Sequence, residues 1–462
     1  MRLFSTVSFS VLYSTLILYL TEGLHLKDTL ATSIVATFIV FNYALHLLGG
    51  VIGGRYLSYR ALFAISMVFV MVGCVLLSHP DMQFFYWGLA AFLTGSSYVT
   101  CINCMLTQLF HPGDSRRESA FLWNYSAMNI GFFMAISFAG LFQAYHAFTS
   151  LFLFCGLGNL AALLIIVYYY RDLGDVNTYY STNHNKVRAV IIGITGVFGI
   201  FLLMRWVLVH VEFSLSFIIF LGVAMEVFVV ILAIRQPQSQ ARKKLWAYFI
   251  LGLASLVFLT LYQLVPIGLV LFVERNVDRH LFSVVVAPQW YQNINSLIII
   301  FGGPLLSYLF QYLRKRGYVI NASLQFSLAL ILIGLGIGIL PIGIAFASQQ
   351  GLINSGWVVV CYVLLTFGEL CITPIGYAIV GELAPAKLRG LLMGVWLMLT
   401  GVGGALSNIF SQQMLGNQNI SNPLLTNPSF SHTFAEMAGI SIASGIILLA
   451  MAPWIQHKLI KS

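Results

Sequence analysis

Long apolar stretches recur along the whole sequence. Each spans about 20 residues, which is the length that an α-helix needs to cross the hydrocarbon core of a bilayer. Hydrophobic residues make up 59% of the chain and charged residues only 8%. This composition excludes an ordinary soluble domain and predicts a helical membrane protein with many spans.

From these stretches we predict fourteen transmembrane helices. Their bounds are 4–21, 30–54, 60–78, 84–110, 119–144, 148–170, 189–209, 214–234, 246–273, 287–313, 320–347, 355–383, 390–412 and 434–456. They form two six-helix bundles, 1–172 and 245–462, joined by a segment, 173–244, that carries an inserted two-helix hairpin. Two six-helix halves indicate the all-α major facilitator fold, whose substrate site lies near the membrane midplane between the halves.

The formal net charge is +9, and its distribution indicates how the chain is oriented. Basic residues concentrate in hydrophilic breaks on alternate sides of the spans, which predicts that the N- and C-termini are both cytoplasmic. The sequence has no basic patch interleaved with exposed aromatic residues, so nucleic acid is not an expected partner.

One carboxylate, Glu369, stands near the middle of the apolar stretch 357–389. A charge at that depth is costly, and intramembrane acids usually face a bundle interior or a wet cavity where they handle ions or substrate. Pro374 and Gly376 follow within two turns, which favours a kinked helix that lines a cavity. The simpler interpretation is that Glu369 joins two helices through a polar pair.

Other groups with potential chemistry are few. All six cysteines fall inside apolar spans, and Cys101 and Cys104 form a C-x-x-C without a second pair or a nearby His. We interpret them as buried free thiols, so we expect no metal and no cofactor. The spans contain no nucleophile elbow, metal-ligand spacing or pair of acids, so we do not expect an enzyme.

Several segments resemble the proton-coupled oligopeptide transporter (POT) family of the major facilitator superfamily. GELCITPIGYAIVGELAPAKLRGLLMGVW (368–396) is similar to the family block G-E-L-x-x-S-P-x-G … L-A-P-x-x-x-R-G-x-x-M-G-x-W. YSAMNIGFF (125–133), LYQLVPIGLVLFVERNVDR (261–279) and PQWYQNINSLIII (288–300) resemble the fifth, seventh and eighth helices. ILYLT (17–21) and NYALHLLGG (42–50) resemble helices one and two, so the likeness spans nearly the whole chain.

The sequence departs from the family at its charged positions. The first-helix motif E-x-x-E-R-F falls on Arg2 to Val7, which contain no acid, and a later arginine falls on Tyr13. The fourth-helix lysine falls on Val99. The acidic position of the seventh helix is replaced by Tyr262 and Gln263, which we include among the pocket residues.

The amine-binding half of the family pocket is retained. Glu369 matches the acid that engages the substrate's amino group, and Asn295 matches its eighth-helix partner. Other positions that the likeness assigns to the pocket are Tyr43, Tyr125, Asn129 and Trp396. A carboxylate beside an amide and aromatic faces suits an ammonium group. Without an opposing cation, we expect a substrate whose carboxylate is absent, modified or bound by dipoles.

The likeness implies alternating-access uptake of small amine-bearing solutes such as di- and tripeptides, amino acids or their derivatives. Glu369 is the predicted proton carrier, because burial and a bound cation shift its protonation in opposite directions. His46 is a second candidate, although it also suits a packing role, and uniport without a proton stays open. The expected partners are the substrate, protons and the lipid bilayer, and we expect a monomer in a bacterial inner membrane.

Two other functions remain open. Proton-driven efflux of cationic or amphipathic amines also suits one buried acid with an aromatic lining. A non-transporting receptor or scaffold would explain the loss of the first-helix motif, but it leaves the retained Glu369, Asn295 and Trp396 without a role.

Overall fold

The computed structural model describes residues 1–110, 114, 116–176, 178–183, 185–281, 283–317, 321–385, 388–416 and 422–455. In this part of the chain, thirteen segments are long and apolar enough to cross a membrane. A further helix, Asn293–Lys315, occupies the predicted span 287–313. The architecture therefore agrees with the predicted all-α membrane protein of about fourteen spans.

Seventeen α-helices are present in the described residues, and all except the short α8 lie in these spans. In chain order they are α1 (Arg2–Leu18), α2 (Asp28–Ile52), α3 (Tyr59–Leu77), α4 (Met82–Ser96), α5 (Cys101–Leu109), α6 (Arg116–Ala144), α7 (Phe148–Tyr168), α8 (Tyr179–Thr182), α9 (Lys186–Val209), α10 (Val211–Arg235), α11 (Ser239–Tyr262), α12 (Val270–Asn276), α13 (Asn293–Lys315), α14 (Ala322–Ala345), α15 (Ser355–Leu383), α16 (Arg389–Leu415) and α17 (Pro423–Trp454). Single π turns cover Tyr19–Gly23 and Val265–Leu269, and a 3₁₀ turn covers Pro288–Gln292.

Four two-residue strands complete the described structure: β1 (Val277–Asp278), β2 (His280–Leu281), β3 (Val284–Val285) and β4 (Ile353–Asn354). β1 pairs with β4 in parallel, and β2 and β3 form a short antiparallel pair.

The chain divides into two compact units. The first contains Met1–Leu26 and Thr37–Ser214, and the second contains Lys27–Ala36 and Leu215–Ser462. The division passes through α2 and through the start of α10. Of the two hairpin helices, α9 therefore belongs to the first unit, whereas α10 belongs almost entirely to the second.

In the first unit, α1 packs on α6 and α7, α3 packs on α4 and α7, and α9 packs on α4. The Arg205 guanidinium of α9 lies 5.1 Å and 5.2 Å from the ring centroids of Tyr86 and Trp87. Arg205 is the arginine in the middle of the hairpin sequence. Through these cation–π contacts it has aromatic partners in its own unit.

The turn between α2 and α3 is organised by a residue distant in sequence. Gly54 has φ 73°, a left-handed conformation that favours glycine. Asp175 supplies a carboxylate, whose Oδ1 accepts from the Tyr59 N–H at 3.0 Å. Burial raises the pKa of Asp175, and the bonds from Tyr59 and Thr178 oppose that shift.

In the second unit, α14 packs on α15 and α17, and α11 packs on α14, α15 and α16. The small residues of α16 allow close approach, because a Cβ at Gly403 would lie 2.9 Å from the Leu259 Cβ of α11. Such close approach at small residues is typical of helix packing in membrane proteins.

An ion pair joins the beginning of α2 to α12 within the second unit. Arg275 Nη1 lies 2.5 Å from Asp28 Oδ2, and Nη2 lies 2.9 Å from Oδ1, so the pair is bidentate. The Asp28 side chain is 4% exposed and that of Arg275 18%. Because the pair is buried, removal of either member alone would destabilise the folded protein.

Two predicted spans, 84–110 and 246–273, correspond to the apolar segments Met82–Leu109 and Ser239–Asn276, but the helix within each of them is irregular. The first breaks between α4 and α5, where the Ser97 hydroxyl donates to the Leu93 carbonyl at 2.6 Å and so competes with the backbone. The second contains the Val265–Leu269 π turn, because Pro266 has no N–H to donate to the helix.

The beginning of the last predicted span, 434–456, needs correction, and its end at 456 lies outside the described residues. α17 begins eleven residues earlier, at Pro423, because Asn422 caps it by accepting from the Leu424 N–H at 3.0 Å and Pro423 suits the first helical turn.

Candidate functional site

Glu369 is the fifteenth of the 29 residues of α15, so it lies halfway along the helix. At 1.5 Å per residue, it is about 21 Å from either end. The Asn354 side chain fixes the beginning of this helix by accepting from the Gly356 N–H at 2.8 Å. A long capped helix therefore carries the carboxylate to mid-depth.

The half-buried Glu369 carboxyl group is surrounded by neutral hydrogen-bond donors. Asn295 Nδ2 donates to Glu369 Oε2 at 2.6 Å, and Tyr262 also hydrogen-bonds to the carboxyl group. No salt bridge in the described ranges involves Glu369. The site therefore orients a carboxyl group without supplying a cation of its own.

Thr366, which the sequence analysis did not include, belongs to this cluster. Its hydroxyl lies 3.3 Å from Asn295 Nδ2 and donates to the Tyr362 carbonyl at 2.6 Å. Its position one turn before Glu369 on the same helix face is the signal that could have identified it. Asn295 is therefore held between two side chains of α15.

Trp396 forms an aromatic wall against α15. A Cβ at Gly376 would lie 3.1 Å from the Trp396 ring, so the indole packs directly on the helix two turns beyond Glu369. The indole also contacts Tyr248 and Phe326, with ring centroids 5.7 Å and 6.2 Å apart. The Pro374 side chain lies outside the described residues.

Gln263 differs from its neighbour Tyr262. It is 1% exposed, and its Oε1 has no hydrogen-bond partner in the part of the chain that the structure describes. The structure therefore brings together Glu369, Asn295 and Tyr262, whereas the Gln263 Oε1 makes no hydrogen bond to this cluster within the described residues.

In the first unit, Tyr43 and His46 lie together on α2, with ring centroids 6.2 Å apart. His46 Nδ1 is 3.1 Å from the carbonyl oxygen of Ser97, in the break between α4 and α5. The interrupted helix exposes this carbonyl, because the Cys101 N–H bonds to Tyr98 instead. His46 is thus oriented by a backbone acceptor.

The other predicted residues of this unit lie on α1 and α6. Asn129 is buried and donates to the Tyr125 carbonyl of its own helix at 3.0 Å, whereas the Tyr125 side chain is 51% exposed. The Tyr13 ring lies 5.8 Å from that of Phe9.

Arg2 lies at the first position of the segment on which the acidic family motif falls. It is not an acid, but it is a cation. Its Nη2 lies 2.8 Å from the Met128 sulfur, and its buried Nε has no hydrogen-bond partner among the described residues. It is also close enough to His46 for an electrostatic interaction. The first unit therefore retains a poorly compensated cation.

Cys101 and Cys104 are free thiols. In the described ranges, no group of three or more His, Cys, Asp or Glu side chains is arranged to hold a metal ion.

Comparison with known proteins identifies the family. Residues 59–425 match the POT family. The dipeptide and tripeptide permease A of Cronobacter turicensis is 26% identical over 97% of this chain and 89% of that protein. The permease of the same name from Escherichia coli (strain K12) is 25% identical over 94% and 87%.

Solved structures share the fold. A peptide transporter POT in complex with sulfate has a TM-score of 0.86 and 23% identity, with 99% of this chain and 94% of that one covered. A POT family transporter in complex with 5-aminolevulinic acid has a TM-score of 0.83 and 21% identity, over 98% and 95%. The predicted all-α major facilitator fold is confirmed, as is the expectation that the chain is not an enzyme.

Proposed function

The chain belongs to the POT family, and from this membership we propose that it is an alternating-access transporter that imports small amine-bearing solutes, foremost di- and tripeptides. The curated relatives are named dipeptide and tripeptide permeases, which supports this substrate class. Structures in complex with alafosfalin and with 5-aminolevulinic acid support a wider range of amine-bearing ligands.

The arrangement around Glu369 carries the proposal. A carboxylate at mid-depth, with an amide and a phenol as its partners, has no cation in the described structure and can therefore accept one. A substrate ammonium group would make charge-assisted hydrogen bonds to it, and these are about twice as strong as neutral ones. Trp396, buried against the same helix, would limit the space beside the substrate.

Glu369 also suits an exchange of proton for amine. Without substrate, the carboxyl group can hold a proton and carry no charge. A bound ammonium group favours the ionised form of the carboxyl group. Binding of the substrate would thereby release the proton, so that one side chain couples the two.

A ligand panel tests the substrate class. We expect dialanine amide to stabilise the purified protein at 100 times its dissociation constant by about 2.7 kcal/mol, and N-acetyl-dialanine not to stabilise it, because Glu369 requires a free amine. We expect free dialanine to bind more weakly than its amide, since Val99 replaces the family's lysine. Thermal-shift titrations measure all three.

Stabilisation by N-acetyl-dialanine would contradict amine recognition. Tighter binding of free dialanine than of its amide would show that a cation still serves the carboxylate, and would disprove the altered-pocket argument. The half-buried Arg2 would then be the first candidate.

His46→Ala tests the second proton candidate. If His46 carries protons, the variant should lose most of the pH dependence of uptake between about pH 5 and 8, because histidine titrates in that range. Proteoliposome uptake at a series of pH values measures this dependence. His79→Ala, at an exposed histidine in the loop after α3, is the control. An unchanged profile for His46→Ala would leave this residue with a packing role only.

We further propose a bacterial inner membrane location with both termini in the cytoplasm, as the placement of basic residues indicates. A reporter fused to the N- or the C-terminus tests this orientation. We expect each fused reporter to be accessible only from the cytoplasmic side.

A further inference from the structure

Glu226 is a second carboxylate within a membrane span, and it takes no part in the Glu369 cluster. It is the sixteenth of the 25 residues of α10 and is 9% exposed. Neither carboxyl oxygen has a hydrogen-bond partner among the residues that the structure describes. Buried polar groups in proteins are nearly always hydrogen-bonded, so this orphaned carboxyl group requires an explanation.

Glu226 is one of the residues that line a cavity of about 390 Å³ between α10, α11 and α16. Apart from Glu226, every lining residue is apolar or glycine, among them Val223, Phe249, Leu253, Leu399 and Val402. The volume falls within the range of about 300–1,000 Å³ that is typical of small-molecule sites.

Close packing beside the cavity fixes the position of the carboxyl group. A Cβ at Gly222 would overlap the Val402 side chain, so α10 touches α16 one turn before Glu226. On the other side, a Cβ at Gly252 of α11 would lie 3.6 Å from Glu226 Oε1. Glu226 therefore lies between α11 and the point where α10 contacts α16.

The cavity opens on the outer surface of α10. Val223, Val227 and Ile231 line it and are also 58%, 52% and 42% exposed. They recur every four residues, which places them on one face of the helix. An exposed apolar face on a membrane span adjoins lipid, so a molecule can enter from the bilayer.

The depth of Glu226 limits the identity of that molecule. Nine residues separate it from Arg235 at the end of α10, which is about 13 Å along the helix axis. Phospholipid headgroups stay at the interface, about 15 Å from the membrane centre. A free amphipathic molecule with one alkyl chain can carry its polar group this far into the bilayer.

An amine fits the chemistry of the site better than other polar groups. An ammonium group is a strong donor to both unpartnered oxygens, whereas a carboxylate ligand would repel Glu226 when it is ionised. The apolar lining then accommodates the alkyl chain, and the Phe249 ring can contribute a cation–π contact.

We propose that this cavity is a second binding site, which takes a lipophilic primary amine from the bilayer and holds its ammonium group against Glu226. The site does not depend on peptide uptake, because all of its lining residues lie outside the Glu369 cluster.

The test measures saturable binding of radiolabelled decylamine to the full chain in phosphatidylcholine nanodiscs. Decanol, with the same chain and no charge, is the competitor that controls for partition into lipid. We expect decylamine to bind saturably and decanol to compete at least tenfold more weakly than unlabelled decylamine.

Two variants assign the binding to the cavity. Glu226→Gln keeps the shape of the side chain and should weaken decylamine binding at least tenfold. Val227→Trp, at the exposed mouth, should block binding while Glu226 remains. Glu369→Gln should leave decylamine binding unchanged, which separates this site from the proposed peptide site.

The proposal is overturned if no saturable binding occurs, if decanol competes as well as decylamine, or if Glu226→Gln binds like the unaltered protein. Loss of binding in Glu369→Gln would also overturn it, because decylamine would then occupy the other site.

Discussion

Glu369→Gln is expected to reduce uptake of the best ligand of the panel by at least about 100-fold. The substitution keeps the shape and the acceptor that Asn295 contacts, but it removes the negative charge opposite the substrate's ammonium group. Loss of one member of a buried charge pair costs about 3–5 kcal/mol, and each 1.4 kcal/mol is a factor of ten in binding. Counterflow and proton-driven uptake in proteoliposomes measure the loss.

Glu436→Gln is the matched control. This glutamate lies in the same unit on α17 and bonds only to the exposed Gln413 in the described structure, so its neutralisation should leave uptake intact. Uptake by Glu369→Gln within a few-fold of the unaltered protein would eliminate the proposed amine site, provided that both variants elute and melt like the parent.

The second large effect concerns stability. Arg275→Gln should lower the free energy of unfolding by about 3–5 kcal/mol, because the buried Asp28 carboxylate loses the guanidinium that balances its charge. The double variant Asp28→Asn with Arg275→Gln should recover most of the loss, since neither charge then remains. Thermal unfolding of the purified parent, the single variant and the double variant measures their relative stability.

Arg116→Gln provides the comparison at the surface. Its bond to Asp114 is 2.8 Å long, but the Arg116 side chain is 80% exposed. Exposed pairs contribute about 0–1 kcal/mol, so this variant should unfold almost like the parent. Equal losses in the single and double variants at Arg275 would show that the guanidinium acts through packing and not through its charge.

The sequence predicts the spans well, because apolar length is a strong signal, but it misses where they break. Hydropathy does not distinguish the Ser97 region or Pro266 from other span residues. Local backbone hydrogen bonding nevertheless makes the helix irregular at both points. Asn422 and Pro423 indicate the early beginning of α17, but a search for apolar stretches does not take these residues into account.

The candidate site is predictable where it follows one helix or one family motif. Glu369 and Asn295 come together as the likeness implies, and their roles remain predictions. Contacts that depend on tertiary packing are different: Asp175 reaches α3 from more than 100 residues away, and nothing in the local sequence indicates it. The cavity beside Glu226 also depends on the spacing of three helices.

The Ser97 carbonyl limits how His46 could exchange a proton. A carbonyl oxygen can only accept, so the ring nitrogen that faces it, Nδ1, must carry hydrogen in both the neutral and the charged form of the side chain. This selects one neutral tautomer and leaves Nε2 as the only nitrogen that changes state. Any proton that His46 exchanges therefore enters and leaves at Nε2, and the ring keeps its orientation throughout.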